Sequence, residues 1–223
     1  MSRIPHLMFT QKRALNDPAA IDQAIQLLAA GEIIAAPTDT VYGLMARFDE
    51  PAAVARLYEA KDRPPRKPIP VLVGDLAQLA QVTPLPLTPL AERLIARFWP
   101  GPLTLVLPAL ATLPPILTAG QPTVGVRMPD HDALRTLIRR AGPLAATSAN
   151  RSGAAEARTA AEVLAQLEGR IPLLLADDER DRSPAHDTIP STVVDVTTLS
   201  EGKPLILREG PLGSAIRELL SER

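Results

Sequence analysis

Four cationic side chains lie within one short, proline-containing segment of the chain. Lys61, Arg63, Arg66 and Lys67 fall within seven residues, whereas the whole chain has a net charge of −1, so the cluster is local. The prolines among them restrict the backbone. A preorganised set of arginines and lysines suits polyphosphate binding, because guanidinium offers a planar fork of donors and ammonium a compact charge. The alternative is a solvated helix C-terminus, which also favours cations.

Two further segments place small polar side chains directly after predicted strands. Residues 37–44 read PTDTVYGL, and residues 146–153 read ATSANRSG. Ligands of open α/β sheets bind beyond the carboxyl ends of the strands, and small side chains let backbone N–H groups approach a ligand closely. Both segments are therefore candidate parts of a binding site, with an ordinary polar turn as the alternative.

An arginine and a serine at predicted strand ends complete the set of candidates. Arg127 ends the predicted strand Thr123–Arg127, where its planar fork would suit a carboxylate. The alternatives are a surface ion pair or an internal pair with Asp39 or Asp195. Ser191 precedes another predicted strand and carries little information by itself.

Helical and strand-like patterns alternate along the chain, which predicts an α/β fold. The strands ending near residues 107 and 127 have no obvious helix between them, so we expect a mixed sheet. The charged segment Asp177–Ser183 is predicted to be a mobile loop. The predicted helices begin at Pro18, Pro51, Pro89, Asp132 and Thr159 and near Ser214. The predicted strands are Ile33–Ala36, Ile69–Val73, Leu103–Leu107, Thr123–Arg127, Leu144–Thr147, Leu173–Leu175, Thr192–Val196 and Leu205–Leu207.

Composition narrows the class of protein. At 223 residues the chain fits one large domain, and its lack of cysteine excludes disulfides, Cys-ligated metals and thiol chemistry. No apolar run approaches a membrane span and no signal sequence is visible, so we expect a cytoplasmic protein without a membrane partner. Three Phe, two Tyr and one Trp are too few for a single-stranded nucleic-acid platform. The three histidines, His6, His131 and His186, lie outside the motifs and are expected to be structural or superficial.

Taken in order, these segments resemble the YrdC-like family, the threonylcarbamoyl-AMP synthases. The resemblance covers about Ala14 to Gly210, and each motif is short but their order and spacing are specific together. It implies a twisted, mixed, open α/β sheet with flanking helices around a concave basic cleft. We expect one such domain over residues 1–223, with its core at about 14–210 and a short C-terminal helix at 211–223. The matching residues are 37–44, Lys61-x-Arg63-Pro64, Val126-Arg127-x-Pro129, Ser148-Ala149-Asn150, Ser152-Gly153, Ser191–Asp195 and Leu207-Arg208-x-Gly210.

The resemblance implies a nucleotidyltransferase, an L-threonylcarbamoyladenylate synthase. Such enzymes condense L-threonine, bicarbonate or CO2, and ATP into threonylcarbamoyl-AMP and pyrophosphate. A downstream tRNA-modifying complex then uses the adenylate to build threonylcarbamoyladenosine, and a weak direct contact with tRNA is left open. Magnesium is expected with ATP, but the resemblance assigns no protein ligands to the metal.

The resemblance also implies roles for individual residues. Lys61 and Arg63 are implied to be catalytic through their contacts with the phosphates, and as exposed cations they are expected to add little stability. L-Threonine is implied to contact Thr40, Arg127 and Ser191, with Arg127 on its carboxylate. The implied ATP site consists of Lys61, Arg63, Lys67, Thr123, Ser148, Asn150 and Arg208.

Two features depart from the family pattern. Leu72 stands where longer members often carry a polar residue facing threonine, and residues 177–187 are more charged than the glycine-containing segment expected there. Longer members also carry a second, C-terminal domain, so the chain resembles the single-domain form.

Three alternative functions compete with this interpretation. A YciO-like paralogue would lack the Lys-x-Arg and Ser-x-Asn pairs, and both pairs are present here. A carbamoyl-transfer domain of hydrogenase maturation proteins would bring an acylphosphatase-like module and cysteine-rich metal segments. A binding module for structured RNA would read shape with a basic surface, which the net charge of −1 argues against.

Overall fold

The computed structural model describes residues 9–64, 67–182, 189–200 and 203–221. Its strands are β1 (Gln11–Ala14), β2 (Ile34–Ala36), β3 (Gly43–Arg47), β4 (Val71–Leu72), β5 (Leu103–Pro108), β6 (Thr123–Arg127), β7 (Leu144–Ser148), β8 (Leu173–Ala176), β9 (Thr192–Ser200) and β10 (Lys203–Arg208). Its α-helices are α1 (Pro18–Ala29), α2 (Pro51–Ala60), α3 (Pro89–Phe98), α4 (Pro115–Thr118), α5 (Asp132–Ala141), α6 (Ala160–Leu167), α7 (Asp178–Arg182) and α8 (Gly213–Ser221), and a 3₁₀ helix covers Leu76–Gln81.

The ten strands of the described residues form one sheet, in the order β1-β8-β2-β3-β7-β4-β6-β5-β9-β10. The pairs β1–β8, β2–β8, β4–β6 and β5–β9 are parallel, and the other adjacent pairs are antiparallel. Strands β1 and β10 are edges, so the sheet does not close. The predicted mixed, open α/β sheet with flanking helices is confirmed.

The central strands of the sheet are buried between two layers of helices. Successive residues of a strand face opposite sides, so neighbours on β2 join different clusters. Ile34 packs in the cluster that contains Leu28 of α1 and Leu137 of α5. Ala35 packs in the larger cluster, with apolar residues of α2, α3 and α6. Both faces of the central strands are therefore covered by helices.

Local sequence signals explain where several helices begin. Proline occupies the first turn of α1, α2 and α3, where a missing N–H costs nothing. Asp17 and Thr88 cap α1 and α3 through their side chains, and Thr159 and Glu162 form the predicted capping box of α6. His131 accepts a hydrogen bond from the Leu134 N–H at the start of α5. His6 and His186 lie outside the described residues.

Three sequence expectations about elements are wrong or incomplete. Strands β1 and β3 were not expected, because β1 is a polar edge strand without apolar alternation and β3 begins inside the polar segment 37–44. The predicted loop Asp177–Ser183 contains a short helix, α7, in which Asp181 accepts hydrogen bonds from the Tyr42 hydroxyl at 2.8 Å and from the Ala160 N–H at 3.2 Å. These fixed partners order a segment that looks like a solvated loop in sequence; Ser183 lies outside the described residues.

Among the described residues, none of the helices combines the length and the apolar character that crossing a membrane requires.

Candidate functional site

The two small-polar segments lie side by side because β3 pairs with β7. The antiparallel register places Gly43 opposite Ser148, so the connection between β2 and β3 adjoins the loop that follows β7. A further backbone hydrogen bond runs from the Ala149 N–H to the Tyr42 carbonyl at 2.8 Å. Segments that are distant in sequence therefore form one wall of the site.

Lys61 is the C-cap residue directly after helix α2, and its side chain reaches the loop after β7. Its Nζ donates to the carbonyls of Ser148 and Asn150 and, at 3.3 Å, to the Asn150 side-chain oxygen. The residue is 2% exposed, so the expectation that Lys61 is an exposed cation is wrong. Burial, together with the neighbouring charge of Arg63, lowers the pKa of the Lys61 ammonium group to about 8, although the charge of Glu156 opposes the shift.

Asp62 fixes the turn that separates Lys61 from Arg63. It adopts a left-handed conformation with φ 52°, which is uncommon for a residue with a side chain but tolerated by Asp. Its carboxylate accepts hydrogen bonds from Arg151 at 2.5 Å and Arg170 at 3.0 Å. The guanidinium groups beside Asp62 hold the pKa of its carboxyl below the usual range. The turn is therefore braced against the loop after β7 and against the connection before β8.

Arg63 lies half-buried beside the same loop. Its guanidinium donates to the Thr147 hydroxyl at 3.1 Å and to the Lys67 carbonyl at 3.4 Å, and lies 5.8 Å from the centre of the Tyr58 ring. Burial lowers the pKa of this guanidinium group. The Nε atom is buried without a hydrogen-bond partner among the described residues. Lys67 is exposed, and Arg66 lies outside the described residues.

Arg127 lies at the end of β6 and is 6% exposed. Its Nε donates to the Gly101 carbonyl at 3.0 Å, one terminal nitrogen donates to Thr40 Oγ1 at 2.9 Å, and the other pairs with Asp39 at 2.5 Å. The Asp39 pair is one of the alternatives left open by the sequence. The second carboxylate oxygen of Asp39 is buried without a partner among the described residues.

Ser191 connects strands β5, β9 and β10. Its hydroxyl lies 2.8 Å from that of Thr104 and accepts from an Arg208 terminal nitrogen at 3.1 Å, while the Ser191 carbonyl accepts from Arg208 Nε at 3.0 Å. These bonds are made possible by the parallel pairing of β5 with β9 and the antiparallel pairing of β9 with β10. Arg208 is thereby held over the start of β9.

Two adjoining cavities contain all ten residues that the sequence singled out for the site. The first, here called the hydroxyl cavity, has a volume of about 440 Å³ and is lined by Thr38, Thr40, Thr104, Thr123, Thr147, Ser148 and Ser191, with Arg63, Leu72, Arg127, Glu156, Asp195 and Arg208 among its other residues. The second, here called the basic cavity, has a volume of about 580 Å³ and is lined by Lys61, Arg63, Pro64, Lys67, Ser148, Asn150, Ser152, Gly153 and Arg208. Arg63, Ser148 and Arg208 line both cavities.

Two placements bear on the roles that the resemblance implies, and both roles stay predictions. Thr123, implied to contact ATP, lines the hydroxyl cavity together with Thr40 and Arg127. Glu156 also lines that cavity and was not singled out from the sequence, because an isolated glutamate between alanines carries no motif. No group of three or more His, Cys, Asp or Glu that could hold a metal occurs in the described ranges.

Comparisons with known proteins identify the family of this chain. The Sua5/YciO/YrdC family model, described as telomere recombination, matches residues 26–210. A Bacillus subtilis protein named threonylcarbamoyl-AMP synthase is 42% identical over 203 residues, which cover 90% of this chain and 56% of that protein. The chain thus spans little more than half the length of this relative.

Solved structures show the same relationship. The crystal structure of Pyrococcus abyssi Sua5 complexed with L-threonine superposes with a TM-score of 0.84 at 34% identity, covering 96% of this chain and 61% of that one. Escherichia coli YciO superposes with a TM-score of 0.73 at 24% identity, covering 92% of this chain and 95% of that one, which shows a shared fold alone. Since the family model spans most of the sequence, this chain belongs to the Sua5/YciO/YrdC family.

Proposed function

We propose that this chain is an enzyme that forms threonylcarbamoyl-AMP and pyrophosphate from L-threonine, bicarbonate or CO2, and ATP. The observation that carries the proposal is the junction of two cavities with different chemistry, one basic and one rich in hydroxyls, that share Arg63, Ser148 and Arg208. The names of the relatives and the threonine complex of a similar structure support the same activity. A reaction between an amino-acid derivative and a nucleotide needs such a junction.

The basic cavity is suited to the polyphosphate of ATP. Arg63, Lys67 and Arg208 line it with cationic groups, and Ser152 and Gly153 contribute small residues that leave backbone accessible. Lys61 also lines the cavity, but its Nζ already donates to three oxygens of Ser148 and Asn150. We therefore propose that Lys61 positions the loop after β7 and adds positive charge, and that a direct phosphate contact requires it to exchange one of these partners.

The hydroxyl cavity is suited to L-threonine. A guanidinium group has five N–H donors, and the bonds from Arg127 to Gly101, Thr40 and Asp39 account for three within the described residues. The other two N–H donors of Arg127 are available to bind the carboxylate of the substrate. Thr40 and Ser191 add hydroxyls to the same cavity, and Leu72 gives it an apolar surface suited to a methyl group.

The proposed reaction depends on alignment and charge. A carbamate oxygen of N-carboxythreonine attacks the α-phosphorus of ATP, an oxygen–phosphorus bond forms, and the bond to pyrophosphate breaks. Holding the two anions in line lowers the activation barrier, because the reacting atoms are already close and oriented. The cations at the junction stabilise the charge that develops on the phosphates. Arg63 and Arg208 are proposed for this role because they line both cavities.

Magnesium and the downstream partners remain part of the proposal. Mg²⁺ is commonly held by substrate phosphates, water and one or two carboxylates, so the donors of the cavities fit it without a dedicated cluster. When bound, it would neutralise phosphate charge. We also propose that a tRNA-modifying complex consumes the adenylate.

Incubation with ATP, magnesium, bicarbonate and L-threonine tests the activity. We expect pyrophosphate release and a mass-detected adenylate only when threonine and bicarbonate are both present, because the carbamate is the nucleophile. Arg63→Ala should lower turnover about 100- to 1000-fold, the usual effect of removing one preorganised donor. ATP turnover that ignores threonine would contradict the proposed activity, and salt-sensitive RNA binding without adenylate formation would favour the RNA-binding alternative.

A further inference from the structure

Helix α7 lies in a charged segment to which the proposed function assigns no role. None of its described side chains lines either cavity. Asp181 of this helix nevertheless reaches the connection between β2 and β3, residues 37–42, because its Oδ1 accepts a hydrogen bond from the Tyr42 hydroxyl at 2.8 Å. The same hydroxyl accepts from the Asp177 N–H at 3.2 Å. The Tyr42 side chain therefore joins this connection to the end of β8 and to α7.

Tyr42 is the point at which the connection is fixed to the rest of the protein. The residue is 0% exposed. Its N–H donates to the Ala157 carbonyl at 2.9 Å, and its carbonyl accepts from the Ala149 N–H at 2.8 Å. A buried hydroxyl that lacks its hydrogen-bond acceptor is costly. Asp181 therefore helps to decide where the ring of Tyr42, and the backbone attached to it, can lie.

The connection carries Thr40, whose hydroxyl belongs to the hydroxyl cavity. Residues 37–42 form neither a helix nor a strand, so their position depends on individual hydrogen bonds. Thr38 Oγ1 accepts from the Thr40 N–H at 3.0 Å and donates to the Val41 carbonyl at 2.8 Å, which sets the shape of the turn. Arg127 donates to Thr40 Oγ1 at 2.9 Å from one side. Tyr42, two residues along the chain, holds the turn from the other side.

We propose that Asp181 is a positioning residue for the amino-acid substrate, acting through Tyr42 to hold Thr40 in the hydroxyl cavity. This inference rests on the proposed function and adds a residue that lies outside both cavities. The competing role is purely structural, since the Asp181 carboxylate also accepts from the Ala160 N–H at 3.2 Å at the start of α6. The Tyr42 hydrogen bond is the shorter of the two and is the one that leads to the cavity.

Calorimetry with L-threonine and with Mg-ATP separates the two roles. Asp181→Ala and Tyr42→Phe each remove one partner of the same hydrogen bond. Each should weaken L-threonine binding about 10-fold, a change that the loss of one hydrogen bond to a charged group can produce. The double variant should lose no more than the weaker-binding single variant, because both substitutions break one link. Affinity for Mg-ATP should change by less than about twofold, since residues 37–42 do not line the basic cavity.

A conservative substitution and a matched control complete the design. Asp181→Asn keeps an acceptor oxygen for the Tyr42 hydroxyl and should retain L-threonine affinity within about twofold. Glu179→Ala removes an exposed carboxylate from the same helix and should change neither affinity. In the ligand-free protein, hydrogen exchange in peptides that cover residues 37–44 should be faster in Asp181→Ala and Tyr42→Phe than in the wild type and in Glu179→Ala.

The other outcomes reject the inference in distinguishable ways. A lowered Tm of Asp181→Ala with unchanged L-threonine affinity would make the contact purely structural. Equal losses for L-threonine and Mg-ATP would show a general disturbance of the fold, and additive losses in the double variant would show that Asp181 does not act through Tyr42. Each of these results leaves the proposed function standing. A wild-type protein that binds no L-threonine would overturn the proposed function together with this inference.

Discussion

At the scale of single residues, Lys61 shows that a side chain of a basic sequence motif can be buried. Sequence spacing suggested a displayed cation, but the ammonium group is enclosed by the oxygens of Ser148 and Asn150. Its charge is stabilised by three acceptors and opposed by burial and by Arg63. The residue therefore connects α2 to the loop after β7 as well as contributing charge to the basic cavity.

The titration of Lys61 predicts a specific dependence of stability on pH. In the folded protein its pKa is about 8, below the ordinary 10.5, so between these values the folded state has released a proton that the unfolded state retains. The free energy of unfolding should then rise with pH in this window, by about 1.4 kcal/mol per pH unit from this group. Denaturant unfolding from pH 7.5 to 10 of the wild type and of Lys61→Met measures the difference.

The control is Lys67→Met, which removes an exposed ammonium group from the same segment. Its unfolding free energy should follow that of the wild type across the pH range, whereas Lys61→Met should lack the extra rise. Parallel curves for the wild type and Lys61→Met would show that the burial of Lys61 does not shift its titration.

Arg127 forms one of the internal ion pairs that the sequence left open and also lines the cavity proposed for threonine. The pair with Asp39 is formed, and Arg127 still lines the hydroxyl cavity. The bonds to Gly101 and Asp39 orient the guanidinium group, as a substrate-binding arginine requires. Its contact with a carboxylate ligand remains a prediction.

At the scale of elements, the turn after α2 is the connection that sets the basic cavity. Lys61 and Arg63 flank Asp62, whose left-handed φ of 52° changes the direction of the chain. The Ser152 N–H donates to the Lys61 carbonyl at 2.8 Å, and Arg151 holds the Asp62 carboxylate. Two loops that each supply site residues are thereby joined.

Substitutions of Asp62 separate its backbone role from its charge. Asp62→Asn keeps the shape and the tolerance for positive φ, and exposed ion pairs contribute at most about 1 kcal/mol. Asp62→Val introduces a β-branched side chain where left-handed backbone costs about 1–2 kcal/mol more. We expect Asp62→Val to be less stable than Asp62→Asn by about that amount in urea unfolding, and to weaken ATP binding more. Equal stability of the two variants would contradict the expected cost of a β-branched residue at this positive φ.

At the scale of the whole molecule, the order of strands brings the site together. Strand β7 lies between β3 and β4, and β5 lies between β6 and β9. The segments that precede β3 and β9 and the loop that follows β7 therefore line one cavity, although they are far apart in sequence. Arg63, Ser148 and Arg208 stand where the two cavities join.

If threonine and ATP bind in different cavities, each substrate should stabilise the folded protein independently of the other. A ligand at about 100 times its Kd raises the free energy of unfolding by about 2.7 kcal/mol. L-Threonine and Mg-ATP should each raise the Tm alone, and together they should raise it further. Stabilisation by tRNA alone, lost in high salt, would instead favour the RNA-binding alternative.

The sequence by itself determined the fold class, the family and most of the candidate site. Proline and capping residues marked the helix starts, and short motifs such as Lys61-x-Arg63 and Ser148-x-Asn150 identified residues that line the cavities. These signals are local, because each depends on a few adjacent side chains and on the backbone conformation they favour.

The tertiary structure decided which side chains are buried, which partners they contact, and which residues without a sequence motif line the cavities. Lys61 became internal because the pairing of β3 with β7 places the Ser148 loop against the end of α2. Glu156 joined the hydroxyl cavity through the path of a loop, and α7 became ordered through Tyr42. Each of these depends on contacts between segments distant in sequence, and the energy of such contacts is set by packing and desolvation that local patterns do not encode.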